Sequence, residues 1–283
     1  MKEFKIVILG ASGQLGYTLL KYLIKKRIYC FCITSQSSIL LNSKYIYKKC
    51  KFRPKKLKII KNEVINFAPN YIINCLSLNK KNFKNKKLLQ KTYINIPKIF
   101  SKICLKKKIG FINISTDIVF DGQRGNYLET DMINPQTEYA KYKLKSERIF
   151  KNFLNIRLSI IGLNPLKKNG FIDWIMNEKK VIKGYKNYIF SGITSLEISR
   201  VLLKIMLLKQ RLIGIYHLSG PKISKYDLVN RICKVFSLRK RIIGVEMPVL
   251  NLSLNSRKIK RNCGIRIKNI HRQLIDLKNF NYE

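Results

Sequence analysis

Apolar residues are spaced along this chain in two ways, one typical of strands and one typical of helices. Short apolar runs predict buried strands at residues 4–9, 28–33, 71–75, 110–115, 154–161, 188–191 and 216–219. Apolar residues at helical spacing predict helices at about 15–24, 88–106, 139–150, 170–178, 195–208 and 225–236. Strands that alternate with helices in this way predict a parallel sheet with helices on both faces.

A glycine-rich turn joins the first predicted strand to the first predicted helix. Its residues are Gly10, Ser12, Gly13, Gln14, Leu15 and Gly16, together with Ala11. Glycines at this place let the backbone turn tightly and approach a pyrophosphate, which then lies at the N-terminus of the helix. The order of strand, glycine turn and helix therefore predicts a dinucleotide-binding site formed by all six of these residues.

The alternation is regular up to Gly162, looser beyond it, and hardly periodic after Pro248. We therefore expect an α/β fold, a Rossmann-like doubly wound parallel sheet with a small C-terminal substrate-binding lobe. Residues 1–162, completed by about 191–220, are predicted to form the dinucleotide-binding domain. Residues 163–190 and 221–283 are predicted to form the lobe.

The formal net charge of +43 could indicate a nucleic-acid-binding protein. The lysines are spread from end to end, however, and no zinc knuckle, recognition helix or aromatic RNA-binding motif accompanies them. We expect a general attraction for polyanions but no specific nucleic-acid partner. No apolar run approaches the roughly 18 residues that a membrane span needs, so no membrane span is expected.

Seven cysteines are scattered without metal-ligand spacing, and the chain has two histidines. This usage indicates reduced thiols, no metal site and a cytoplasmic location. The chain enters its first strand almost at once, so no signal peptide is expected. The oligomeric state stays open, with a homodimer as one arrangement.

The candidate chemistry lies where a strand ends in Ser115-Thr116-Asp117 and a later helix carries Tyr139 and Lys143. The last two are four positions apart and share a helix face. A nearby ammonium is expected to lower the pKa of a phenol from its usual value near 10, and a hydroxyl of Thr116 or Ser115 can polarise a carbonyl. The same spacing recurs by chance in so lysine-rich a chain. The pair stands out because of the strand that precedes it.

Cofactor choice is indicated by the end of the second predicted strand. An NAD-specific site usually has an acidic residue about 20 residues beyond the glycines, where it binds the ribose 2′-hydroxyl. Residues 33–38 contain no acid, and Ser35 and Gln36 can donate to a 2′-phosphate. The sequence predicts NADPH as the cofactor, with NADH as the alternative.

Motifs in order along nearly the whole chain resemble those of the extended short-chain dehydrogenases/reductases, and among these the dTDP-4-dehydrorhamnose reductase group. They are Gly10-x-x-Gly13-x-x-Gly16, Ile73-Asn74-Cys75, Asn95, Ser115 to Gly122, Tyr127, Glu129, Asp131, Tyr139/Lys143 with Glu147, Arg157 to Gly162, Phe190 to Thr194 and Gly214 to Gly220. The block from Ser115 to Lys143 is the specific one.

The resemblance implies that Tyr139 donates a proton, that Lys143 activates it and binds the ribose, and that Thr116 bonds the substrate ketone. It further implies cofactor contacts for Gly13, Gln14, Leu15, Cys75, Leu76, Ser77 and Asn95. The implied reaction is hydride transfer from a nicotinamide to the C4 ketone of a nucleotide-linked deoxysugar. A sugar-nucleotide epimerase or dehydratase with bound NAD, a non-catalytic nucleotide-sensing subunit and a polyanion-binding protein are the alternatives.

Five positions qualify this picture. Ile118 stands where the rhamnose enzymes usually carry Tyr, and Cys75 and Leu76 stand where they carry small alanines, so the identity of the sugar stays open. Asp117 is a candidate substrate-binding residue, with a structural turn as the alternative. Trp174, the one tryptophan, is another candidate for the sugar pocket, with helix packing as the alternative.

Overall fold

The computed structural model describes residues 3–34, 41–179 and 181–280. The strands are β1 (Lys5–Leu9), β2 (Tyr29–Thr34), β3 (Ile46–Lys51), β4 (Tyr71–Asn74), β5 (Gly110–Ile114), β6 (Leu154–Arg157), β7 (Ile160–Ile161), β8 (Ile182–Tyr185), β9 (Tyr188–Phe190), β10 (Ile193–Thr194), β11 (Gly214–His217), β12 (Ile223–Ser224), β13 (Ile242–Val245) and β14 (Leu250–Asn251). The α-helices are α1 (Gln14–Lys25), α2 (Leu57–Phe67), α3 (Lys86–Gln90), α4 (Ile96–Lys107), α5 (Glu138–Ile149), α6 (Phe171–Asn177), α7 (Ser195–Met206), α8 (Lys225–Val235), α9 (Arg257–Cys263) and α10 (Ile270–Lys278).

A seven-stranded sheet in the order β11-β6-β5-β4-β1-β2-β3 forms the centre of the molecule. Every pairing in it is parallel. From β1 the chain builds outward through β2 and β3, then crosses back to build the other half from β4. This reversal opens a crevice at the carboxyl ends of β1 and β4, where open α/β sheets bind their ligands.

Helices cover both faces of this sheet. The apolar sides of α1 and α7, including Leu19 and Val201, pack on one face, and those of α2 and α4, including Ile60 and Phe100, pack on the other. The doubly wound α/β fold predicted from the periodicity is therefore confirmed.

A third apolar cluster lies in the C-terminal part of the chain. It joins α6, α8 and α10 through residues such as Ile172, Leu228 and Leu274. Small sheets accompany it: β8 pairs with β13, and β9 pairs with β12 and β14. The Asp117–Val119 helical turn at the end of β5 lies toward this part of the molecule, since the neighbouring apolar cluster around Phe120 includes Leu252 and Leu254.

The structure differs from the sequence-based expectation in several elements. The predicted strand 154–161 is two strands, because β6 lies in the central sheet whereas β7 pairs with β10. The predicted helix 88–106 is α3 and α4 joined by a π-helical turn at Lys91–Asn95. Neither β3 nor α2 was predicted. In β3, lysines occupy half of the positions and hide the apolar alternation. Helix α2 does bury Ile60, Val64 and Phe67 at helical spacing, and the sequence analysis overlooked this period.

The segment after Pro248 was expected to lack periodic structure, and it contains α9 and α10. Of these, α9 buries Ile259 and Cys263 in the cluster that covers the central sheet. The proposed boundary at 221–283 stays a prediction. Within the ranges given above, no helix is long and apolar enough to cross a membrane.

Candidate active site

The glycine turn between β1 and α1 is shaped by close backbone contacts. Gly10 has a φ of +83°, and a Cβ on it would lie 3.0 Å from the backbone of Cys75. A Cβ on Gly16 would lie 2.2 Å from the carbonyl oxygen of Gly10. Only glycine fits at either position, because backbone atoms occupy the space of a side chain.

The start of α1 is suited to bind an anion. Gly13 is the N-cap, no side chain caps the helix, and the first turn carries no acidic residue. The first amides of a helix have no acceptor within it and favour a negative charge. The side-chain nitrogen of Gln14 is buried, and no part of the described chain offers it a hydrogen-bond acceptor. A pyrophosphate at this turn would supply one, so the residues present fit the predicted dinucleotide. Ser12 and Leu15 are buried in the same turn, whereas Ser35 and Gln36 lie outside the described residues.

Helix α5 presents Tyr139 to the carboxyl end of β5. Thr137 caps the helix by accepting from the amide of Ala140 at 3.2 Å. The Tyr139 ring stacks on Phe83 at 4.2 Å between centroids and meets Tyr93 edge-on at 5.5 Å. The hydroxyls of Tyr139 and Thr116 are hydrogen-bonded. A phenol and a hydroxyl joined in this way can together hold the oxygen of a carbonyl group.

Burial is the largest influence on the Tyr139 phenol and raises its pKa above the usual value. This direction is opposite to the predicted one, because the Lys143 ammonium lies 6.0 Å from the Tyr139 ring centroid and 4.5 Å from that of Tyr93. In the protein without ligands the phenol therefore carries its proton, and a lower pKa would make it a stronger acid.

Lys143 is buried on the same helix face, as the spacing predicted. Its Nζ donates to the carbonyl oxygen of Ile114 at 2.8 Å, which leaves two of its three N–H groups for other partners. Burial lowers the pKa of this amine to about 8, and the neighbouring Cys75 and Glu147 oppose the shift.

Asp117 follows Thr116 and is buried beside it. It accepts a hydrogen bond from the Thr116 hydroxyl at 3.2 Å. Burial raises the pKa of Asp117 to about 6, and the positive charge of Lys225 is the largest influence in the other direction. Hydrogen bonds from Thr116, Ser159 and a backbone amide also lower this pKa, but burial outweighs them.

Ser115 has a different place from its neighbour Thr116. Its hydroxyl donates to Glu147, which also receives two hydrogen bonds from Nε and one, at 2.8 Å, from Nη2 of Arg157. Arg157 Nη1 lies 3.5 Å from the ring of His217. This buried cluster of Ser115, Glu147, Arg157 and His217 ties the ends of β5, α5, β6 and β11 together. Of the two hydroxyls that the sequence offered, the structure places Thr116 against Tyr139.

The remaining predicted residues lie at varying distances from this centre. The backbone of Cys75 closes over Gly10, and its buried thiol lies near Lys143. Leu76 is half-buried beside them, and Ser77 and Tyr93 hydrogen-bond through their hydroxyls. Asn95 is exposed and accepts from Gln90 at 3.0 Å, so its role with the cofactor stays a prediction.

Trp174 is 44% exposed on α6 and stacks on Phe171 at 5.9 Å. Phe171 in turn packs under the Nζ of Lys225, whose charge acts on Asp117. Trp174 is therefore placed at the rim of the space in front of Thr116, and its part in sugar binding stays a prediction.

Sequence reasoning missed Phe83, Tyr93 and Lys225. Their side chains reach the site from three separate segments, and no local spacing connects them with Tyr139. The π-helical turn at Lys91–Asn95 that places Tyr93 has no signal of its own in the sequence.

Comparison with known proteins agrees with this geometry. A model of the family described as RmlD substrate binding domain matches residues 4–251. The chain belongs to this family. The resemblance to the dTDP-4-dehydrorhamnose reductase group that the motifs indicated is thereby confirmed.

Relatives of known name cover almost the whole chain. The dTDP-4-dehydrorhamnose reductase of Aggregatibacter actinomycetemcomitans is 24% identical over 97% of this chain and 98% of its own. The structure of a hypothetical dTDP-4-dehydrorhamnose reductase from Sulfolobus tokodaii is similar with a TM-score of 0.74 at 25% identity, over 91% of this chain and 94% of that one. That of dTDP-4-dehydrorhamnose reductase from Bacillus anthracis in complex with NADP has a TM-score of 0.80 at 18% identity, over 98% and 99%, and shows the shared fold.

Proposed function

We propose that this family member is a reductase that transfers hydride from NADPH to the C4 ketone of a nucleotide-linked 4-keto-6-deoxysugar, as the names of its relatives suggest. The observation that carries the proposal is the hydrogen-bonded pair of Tyr139 and Thr116, which lies at the carboxyl end of β5, on the same edge of the sheet as the glycine turn. A ketone oxygen between these hydroxyls would face a cofactor bound in the crevice.

The residues of the chain perform distinct tasks in this reaction. A bound nicotinamide supplies the hydride. Thr116 and Tyr139 hold the ketone oxygen, and Tyr139 gives its proton to that oxygen as the alkoxide forms, with an expected contribution of about 10² to 10⁴ in rate. The Nζ of Lys143 is held by the carbonyl of Ile114 and keeps two N–H groups. With a cofactor bound, these would bind its ribose, and the ammonium would stabilise the phenolate that remains after proton transfer. The rings of Phe83 and Tyr93 exclude water from the phenol.

Two alternatives share the fold. An epimerase or dehydratase would keep its nicotinamide bound through the reaction, and a nucleotide-sensing subunit would need no catalytic residues. The presence of Thr116, Tyr139 and Lys143 together at one site argues against a nucleotide-sensing subunit. No feature of the described residues favours the first.

The deciding experiment follows NADPH absorbance at 340 nm (the wavelength of the reduced nicotinamide) while a panel of 4-keto-6-deoxy sugar nucleotides is offered. We expect stoichiometric oxidation of NADPH with at least one dTDP-linked member. Conversion of a sugar nucleotide without net change in nicotinamide would indicate the epimerase or dehydratase instead. No turnover with any member would contradict the proposal.

Cofactor preference gives a second test, which rests on the sequence of residues 33–38 alone. Without an acid to repel the 2′-phosphate and without an arginine to bind it, we expect kcat/KM to favour NADPH over NADH by about ten-fold, equivalent to about 1.4 kcal/mol. Ser35→Asp should reverse the preference, and Ser35→Asn, which adds no charge, serves as its control. A preference of the unchanged protein for NADH would contradict the argument.

We further propose a cytoplasmic enzyme without a specific nucleic-acid partner. The dispersed lysines and the reduced cysteines are the support for this. A homodimer is the assembly that sedimentation would test first.

A further inference from the structure

Lys225 is the first residue of α8, and its charge interacts with that of Asp117. Three aromatic rings surround its Nζ, with centroids at 3.8 Å for Phe190, 5.1 Å for Phe171 and 5.2 Å for Tyr188. The rings fix the position of the ammonium by attraction to their faces. They accept no conventional hydrogen bond, so its N–H groups keep their need for acceptors.

This placement is unfavourable for a lysine with a purely structural role. The N-terminus of a helix carries partial positive charge, which repels an ammonium in the first turn. Neither an ion pair within 4.0 Å nor a hydrogen bond from Lys225, which is half-buried, is found in residues 3–34, 41–179 and 181–280. Lys143, which is fully buried, donates to the carbonyl of Ile114. Burial lowers the pKa of Lys225 to about 8, and Asp117 opposes this shift.

Asp117 and Lys225 are near enough for their charges to interact, although no ion pair within 4.0 Å joins them in the described residues. The carboxylate can accept hydrogen bonds and the ammonium can donate them. A phosphate would suit Lys225, but Asp117 would repel it. A sugar hydroxyl suits both, because it accepts from the ammonium while it donates to the carboxylate.

We propose that Lys225 is a specificity-determining residue that donates a hydrogen bond to a hydroxyl of the sugar ring beside the reacting ketone, with Asp117 as the acceptor on the other side. This inference rests on the proposed function, since it assumes a nucleotide-linked sugar as the ligand. The proposed hydrogen bond would let this chain recognise a hydroxylated sugar ring, although the side chain of Ile118 offers no polar group.

Calorimetric titration of the NADP⁺-loaded protein tests the proposal without turnover. The probes are a dTDP-linked 6-deoxyhexose, its analogue without the 3-hydroxyl, its analogue without the 2-hydroxyl, and dTDP itself. Lys225→Met keeps the length and the apolar stem of the side chain but removes the donor. We expect it to weaken binding of the sugar nucleotide by about ten-fold or more and to leave dTDP unchanged. Lys222→Met, at an exposed lysine three residues earlier, should change neither.

The deoxy analogues show whether the contact is with a ring hydroxyl. The unchanged protein should bind one of the two deoxy analogues as weakly as Lys225→Met binds the parent sugar nucleotide. Lys225→Met should bind that analogue and the parent with equal affinity. Thermal unfolding of Lys225→Met is expected at an unchanged or higher temperature, because a desolvated charge is removed.

Three results would overturn the inference. Equal loss of affinity for dTDP would place Lys225 at the diphosphate, and unchanged affinity for the sugar nucleotide would leave it without a role in recognition. If the unchanged protein binds NADP⁺ but none of the dTDP ligands, the proposed function fails and this inference fails with it.

Discussion

Two groups of charged side chains at the carboxyl edge of the sheet differ in how they are satisfied. Glu147 and Arg157 are each 2% exposed at the side chain and bind each other through several hydrogen bonds, with Ser115 as a third partner. In the second group, the buried Lys143 has one hydrogen-bond partner and the half-buried Lys225 has none among the described residues. The buried Asp117 accepts hydrogen bonds from Thr116, Ser159 and a backbone amide, yet for all three residues burial shifts the pKa in the direction that favours the neutral form.

The difference separates structure from function in this molecule. Paired charges under the strand ends stabilise the backbone that carries Thr116, because the carboxylate of Glu147 and the guanidinium of Arg157 compensate each other. Charges whose hydrogen-bonding capacity is unmet cost free energy in the protein alone, and a ligand that meets this capacity recovers it. Their partners are thus expected to be the cofactor and the substrate.

The largest expected effect is on turnover, and it concerns Tyr139, which lies next to the second group. Tyr139→Phe removes the proton donor and keeps the ring that stacks on Phe83. We expect kcat to fall by about 10² to 10⁴ while the affinity for NADPH stays within a few fold. Single-turnover kinetics and a fluorescence titration with NADPH measure the two quantities. Tyr142→Phe, on the same helix, is the matched control, and wild-type turnover of Tyr139→Phe would refute the assignment.

The next effect is on stability, in the paired group. Glu147→Gln leaves the guanidinium of Arg157 buried without its carboxylate, which typically costs about 3–5 kcal/mol. Urea unfolding monitored by circular dichroism measures the loss. Glu246→Gln breaks an ion pair with Lys186 that is exposed to solvent, and we expect little change there. A similar small change for Glu147→Gln would mean that the cluster does not hold the strand ends.

The sequence predicted those residues of the two groups whose spacing along the chain is local. The fold followed from alternating apolar periods, and Tyr139, Lys143 and Thr116 were found because a strand end and a helix face carry them. Asp117, whose charge interacts with that of Lys225, lies more than a hundred residues away along the chain, so no local spacing connects the two. Likewise α9 and β3 escaped prediction because lysines, arginines and other polar residues fill most of their exposed positions and leave few apolar residues to reveal a period.

Lys143 provides a second test of the comparison. Its removal is expected to raise the free energy of unfolding, whereas removal of the Glu147 charge is expected to lower it. Lys143→Met fills the same space without a charge, so the burial cost disappears at the loss of one hydrogen bond to Ile114. We expect unfolding free energy to rise on the order of 1–3 kcal/mol, while both turnover and NADPH affinity fall. Lys141→Met, at an exposed position of the same helix, should alter none of the three. A destabilised Lys143→Met would show that the ammonium is satisfied within the protein and belongs with the paired group.

The smallest effect concerns His217, which belongs to the paired group. It is fully buried, and burial together with the charge of Arg157 lowers its pKa from 6.5 to about 3. Below pH 6.5 the unfolded chain therefore takes up a proton that the folded protein does not, and the contribution of this residue to stability falls by about 1.4 kcal/mol for each further pH unit down to about pH 3.

Asp117 acts in the other direction over part of this range, since its raised pKa lets the folded protein bind a proton first below about pH 6. The wild-type profile alone would thus show a partial cancellation, and a pairwise difference isolates His217. Between pH 7.5 and 5.5, the stability advantage of the wild type over His217→Asn should shrink by about 1.4 kcal/mol, because the variant has no imidazole to protonate on unfolding. His271→Asn, at an exposed histidine, should show no such change. An advantage that stays constant with pH would mean that the imidazole is not held neutral beside Arg157, and the paired group would then include a titrating member.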